Sequence, residues 1–120
     1  MAQVVALVDD LFFQAKLLET AKQLGIELRT FASPEALIAE IAKDAPKLVV
    51  VDLNAQNNPL GTIERMHAIA RQIPLIGFLS HVQVELGERA RAAGCREVMP
   101  RSKFTRDLAT ILAQAKSESL

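Results

Sequence analysis

The sequence predicts an α/β fold, a parallel five-stranded sheet with helices on both faces. Three observations carry this. Five strand-length apolar runs alternate with five segments of helical period along 120 residues. One run, Leu48–Val51, is apolar on both faces, as a strand in the middle of a parallel sheet must be. The length suits one domain, spanning 1–120 with a frayed tail from 116, and half the residues are hydrophobic, which excludes a disordered chain.

The first strand is "QVVALV" (Gln3–Val8). In the following "LFFQAKLLETAKQL", Leu11, Ala15, Leu18 and Ala21 share a face, and Gly25 supplies a C-terminal stop. "IELRTF" alternates as a half-buried edge strand does. "SPEALIAEIAKD" opens with Ser33 as N-cap and Pro34 at the first helical position, carries Leu37, Ile38 and Ile41 as its apolar stripe, and is ended by Pro46. After the central strand comes a polar loop, "NAQNNPLG", and the helix "TIERMHAIARQ". "PLIGFL" is strand four, "VQVELGERARAA" the helix stopped by Gly94, and "CREVM" a short fifth strand. Phe104, Leu108, Ile111, Leu112 and Ala115 line one last helix.

Right-handed crossovers and this size favour the strand order 2-1-3-4-5 of a flavodoxin-like, three-layer doubly wound fold. Its switch point lies between strands one and three, at their carboxyl ends. Asp9 and Asp10 follow strand one and Asp52 ends strand three, so the three carboxylates are expected in one crevice. Three independent turn-forming aspartates are the bland alternative, because Asp often ends a strand by bonding local backbone.

Composition narrows the class. The 14 basic and 14 acidic residues cancel, without the basic excess of a nucleic-acid or membrane-surface protein. No apolar run approaches the roughly 20 residues of a membrane span, and the N-terminus lacks a basic flank before a long apolar region. Cys95, the single cysteine, cannot form an internal disulfide and reads as a small buried hydrophobe. A cytoplasmic domain is expected.

Clustered carboxylates repel unless a positive group joins them. A hard divalent ion such as Mg²⁺ is the natural partner, held by one or two carboxylates, a carbonyl and waters. A carboxylate beside such an ion can also attack phosphorus and form an aspartyl-phosphate. A phosphoryl group would further need a hydroxyl and a cation, and Ser80 after strand four and Arg101 after strand five stand on the same rim. Glu97 is the rival partner for Arg101 at the surface, His67 is given no role, and Glu88 with Arg91 reads as a solvated helix face. A mononucleotide-binding protein is disfavoured, since no Gly-rich phosphate loop follows strand one.

At these residues the chain resembles the receiver domains of two-component response regulators, the CheY-like fold, over roughly Gln3 to Ala115. The resemblance rests on "VDD" after strand one, "VVVDLN" ending strand three and "FLSH" ending strand four. It implies that Asp9 and Asp10 bind Mg²⁺ together with Asp52 and the backbone carbonyl of Asn54. It implies that Asp52 is the phosphoacceptor, that Ser80 contacts the phosphoryl group, and that the chain is no enzyme beyond its own phosphorylation and dephosphorylation. The implied partners are a sensor histidine kinase or phosphotransfer protein and an effector protein; a homodimer is also compatible, and direct nucleic-acid or membrane binding is not expected.

Four departures accompany the resemblance. The family's lysine after strand five is matched by Arg101 in "VMPRSKF", with Lys103 as runner-up if two residues were inserted. Arginine is a larger, fork-shaped cation and no conservative replacement. The family's aromatic switch residue corresponds to Val98, the small residue after the Ser/Thr is His81, and "AQNNPLG" lacks a Met-Pro pair. Two functions from different classes follow: a receiver phosphorylated on Asp52, or a pseudo-receiver acting as a phosphorylation-independent interaction module.

Overall fold

A computed structural model describes residues 2–56, 58–80 and 83–117, with the side chain of residue 117 excepted. The elements run β1 (Val4–Leu7), α1 (Leu11–Leu24), β2 (Leu28–Phe31), α2 (Pro34–Lys43), β3 (Leu48–Asp52), α3 (Pro59–Ala70), β4 (Leu75–Leu79), α4 (Val84–Ala93), β5 (Glu97–Pro100), α5 (Arg101–Arg106) and α6 (Leu108–Ser117). All strand pairs are parallel, in the order β2-β1-β3-β4-β5. The expected fold class and strand order are therefore observed.

Alternation along the strands divides the core in two. Val4, Ala6, Val8, Leu48, Val50, Ile76 and Phe78 face α1, α5 and α6, where they meet Phe13, Leu17, Phe104, Leu108 and Leu112. Val5, Leu7, Val49, Val51, Leu53, Leu75 and Leu79 face the other way, against Leu37, Ile41, Ile63, Met66 and Ala90. β1, β3 and β4 are buried throughout, which is why their sequences are continuous apolar runs.

The helix boundaries have local causes. Ser33 Oγ accepts the Ala36 N–H at 3.3 Å and caps α2 ahead of Pro34. Gly25 closes α1 in the left-handed conformation (φ 72°), donating its N–H to the carbonyls of Ala21 and Lys22. Gly94 closes α4 at φ 140°, and a Cβ there would lie 2.9 Å from the His67 ring. No side chain fits on either ground.

Four expectations are corrected. The buried stripe of α1 is Phe13, Leu17 and Ala21; Leu11, Ala15 and Leu18 face solvent. This helix offers two apolar stripes, so period alone could not choose a face, and the Phe13 ring decides it. α3 begins at Pro59 rather than Thr62, because Asn58 Oδ1 caps the Gly61 N–H. The last helical segment is two helices, broken at Asp107 (φ −100°, ψ 14°), whose carboxylate meets the Arg106 guanidinium at 3.2 Å. α6 extends to Ser117, two residues into the stretch read as a tail, and Lys116 Nζ donates to the Leu24 carbonyl at 3.0 Å. No helix among the described residues is long and apolar enough to cross a membrane.

Candidate functional site

Register brings the acidic residues together. Leu7 lies beside Val51 across β1 and β3, so Asp9 and Asp10 overhang the carboxyl end of β3, where Asp52 pairs with Phe78. Asp52 is 7% exposed, Asp10 half-buried and Asp9 exposed.

Each carboxylate is held differently. Asp52 Oδ1 accepts the Asn54 N–H at 2.9 Å. Burial pushes the Asp52 carboxyl above the usual carboxylate range; the Asn54 N–H and the Arg101 charge oppose this, and Asp9 and Asp10 add to it. Asp10 is the N-cap of α1, its Oδ1 accepting the N–H groups of Phe12 (2.9 Å) and Phe13 (3.2 Å). Its Oδ2 takes a hydrogen bond from Arg101 Nη2 at 3.1 Å. The Phe13 N–H, ahead of Arg101 and the Phe12 N–H, holds the Asp10 carboxyl below its ordinary value against the cost of desolvation. Asp9 Oδ2 accepts the Gln56 N–H at 3.2 Å across the crevice.

Arg101 opens α5 directly after β5, which carries it to the rim of the crevice. Its guanidinium carbon lies 4.3 Å from the Phe13 ring centre and 5.7 Å from that of Phe78. Arg101 Nε is buried and has no hydrogen-bond partner among the described residues. The guanidinium is thus seated on an aromatic wall and makes one hydrogen bond to Asp10 rather than a paired fork. Glu97, the rival partner, is exposed on β5, and Lys103 is exposed on α5.

Ser80 and Asn54 belong to the same rim. Asn54 Oδ1 accepts the Ser80 N–H at 2.6 Å, and Asn54 Nδ2 donates to Gln83 Oε1 at 2.9 Å. Ser80 is exposed, and His81 lies outside the described residues.

Sequence reasoning named the five residues that converge here, Asp9, Asp10, Asp52, Asn54 and Arg101, with Ser80 beside them. It missed the Phe13–Phe78 shelf and the bridging role of the Asn54 amide. One signal was available for the shelf: the chain has five Phe and no Trp or Tyr. Two of those Phe sit three residues after Asp10 and two before Ser80.

The donor chemistry suits a hard cation, since every group is an oxygen. The arrangement does not. Both oxygens of Asp10 are engaged, one by two backbone N–H groups and one by a guanidinium. Among the described residues no group of three or more acidic, His or Cys side chains is placed to hold a metal ion. As arranged, the pocket does not fit Mg²⁺, and its positive charge is supplied by Arg101.

No family model matches the sequence, and no curated protein matches it significantly. Solved structures do. The receiver domain of NtrX from Brucella abortus superposes with a TM-score of 0.82 at 18% identity, over 93% of this chain and 96% of that one. The Francisella response regulator 1452 receiver domain gives 0.83 at 11% identity, with both chains fully covered. A CheY-like receiver domain protein from Methanospirillum hungatei gives 0.79 at 14% identity, over 98% of each chain. Against a longer NtrX chain, with a TM-score of 0.81 at 19% identity, 99% of this chain covers 27% of that one. At these identities the likeness is one of fold. The chain has the CheY-like fold of response-regulator receiver domains.

Proposed function

We propose that the chain is a receiver-type signalling domain, acting through protein partners, with Asp52 as its phosphoacceptor. One observation carries the reading: Asp52 is the buried carboxylate of the crevice, with one oxygen fixed by the Asn54 N–H and the other outside that bond. In the proposed step a carboxylate oxygen attacks the phosphorus of a phosphohistidine on a sensor kinase or phosphotransfer protein. The O–P bond forms as the P–N bond breaks, and the imidazole leaves and takes up a proton. Arg101 supports the step by bringing positive charge to the pocket, and Ser80 stands on its rim. An effector protein would then read the modified surface.

The chain is to be incubated with acetyl phosphate, with and without Mg²⁺, and its intact mass measured. The expected product carries one added phosphoryl group, absent in Asp52→Asn. A wild-type mass unchanged at high donor concentration would favour the second reading, an interaction module that works without phosphorylation. The Arg101–Asp10 ion pair is the observation on its side, because it partly neutralises the acidic pocket from within.

A further inference from the structure

We infer that the Arg101 guanidinium is the resident cation of this pocket, and that a divalent ion binds there only by displacing it from Asp10. Exchange of one cation for another is the simplest account of what the side chains do. A bare crevice with Asp9, Asp10 and Asp52 at its mouth would hold three like charges. Here Asp10 Oδ2 is taken by Arg101 Nη2 at 3.1 Å, and Asp10 Oδ1 is committed to the first turn of α1 through two backbone N–H groups. While Arg101 is seated, Asp10 keeps a single lone-pair site, on Oδ2, and the guanidinium charge stands beside it.

The seat itself holds the guanidinium apart from its charge. The flat group lies against Phe13 and Phe78, at 4.3 and 5.7 Å from the ring centres. Its Nε is buried without an acceptor among the described residues, so this edge is turned to the wall of the pocket rather than to water. A lysine ammonium is compact, strongly hydrated and on a mobile stem, and has no planar face to spread over two rings. The aromatic pair thus favours arginine, and arginine excludes the metal. The pocket's ligand preference is set by residues on α1, β4 and α5 as much as by the carboxylates.

The inference concerns the pocket of the proposed function, but its test reads metal binding rather than phosphorylation, so either can fail alone. Mg²⁺ is titrated into wild type, Arg101→Lys and Arg101→Met, following ¹H–¹⁵N shifts of the amides of Asp9, Asp10 and Asn54. Arg101→Met keeps an apolar stem on the rings while freeing Asp10 Oδ2. It is expected to bind Mg²⁺ at least about tenfold more tightly than wild type, a difference of about 1.4 kcal/mol, with Arg101→Lys in between. The melting temperature of Arg101→Met should rise with Mg²⁺ while that of wild type does not. Should Arg101→Met fail to give a dispersed spectrum, Arg101→Lys decides alone, against the same wild-type titration. Equal affinity in wild type and variant would overturn the inference. So would the absence of any saturable shift in a folded variant, since removing the guanidinium would then have freed no cation site.

Discussion

On one face of the sheet Phe13, Phe78 and Phe104 form a continuous aromatic cluster, with ring centres 4.9, 6.0 and 4.7 Å apart, Phe78 stacked on Phe104 and Phe13 tilted against both. On the other face the buried side chains are aliphatic or small, with Gly77 and Cys95 where β4 passes under its neighbours. A Cβ on Gly77 would lie 3.1 Å from Leu53 Cδ1 and 3.2 Å from Cys95 Sγ. One face is filled by large flat groups, the other by aliphatic side chains and the close approach that Gly77 permits, with the partly buried Phe31 packed against them. The difference bears on the site. Asp52 takes the parity of Leu48 and Val50, so the buried carboxylate stands on the aromatic side, where the rings also carry Arg101. The crevice is built onto one half of the core.

The contrast breaks most sharply at Phe78. Phe78→Ala removes the middle of the cluster and one wall of the Arg101 seat, and is expected to cost about 3–5 kcal/mol in urea unfolding. On the opposite face Gly77→Val overfills the gap between Leu53 and Cys95, with an expected cost of about 1–3 kcal/mol. This variant should leave the Arg101 seat intact, so amide shifts at Asp10 and Phe13 should move in Phe78→Ala and stay in Gly77→Val. Equal disturbance of the crevice by both would mean the two halves of the core are not separable.

Asp52 and Asp10 sharpen the comparison through pH. The Asp52 carboxyl is raised from 3.8, so its ionised form opposes folding, and stability falls as pH rises from 3.8 through its raised value. Asp52→Asn should therefore raise the melting temperature at neutral pH, and the gain should vanish below 3.8. The Asp10 carboxyl is lowered from 3.8, so its contribution is complete above 3.8 and is lost as pH falls through its lowered value. Asp10→Asn, which can still cap α1, should lower the melting temperature slightly at neutral pH and converge with wild type in acid. Melting curves between pH 2 and 8 that move both variants in the same direction would contradict these assignments.

Much of this was legible in the chain. Leu48–Val51 is apolar at every position, which only a central strand requires, and this placed Asp52 at the switch point. Ser33-Pro34 and Gly25 marked helix ends by their own chemistry. The face of α1 was not legible, because "LFFQAKLL" offers two apolar stripes and the choice depends on rings contributed by Phe78 and Phe104, far along the chain. The partner of Arg101 was legible in part: its place on the rim left Asp52, Asp10 and the nearby Glu97 open, and only the assembled sheet selects Asp10, 91 residues away.

Asn54 makes three demands on one residue. Its N–H fixes Asp52, its amide oxygen holds the Ser80 N–H, and its amide nitrogen reaches Gln83, the N-cap residue of α4. A carboxamide side chain offers an acceptor and a donor from one planar group. An aspartate there would keep a bond to Gln83 only if the Gln83 carboxamide turned to donate, and would add a negative charge beside Asp52. Position 54 is therefore tied to two neighbours at once, Ser80 and Gln83, and should drift far less than the exposed face of α1.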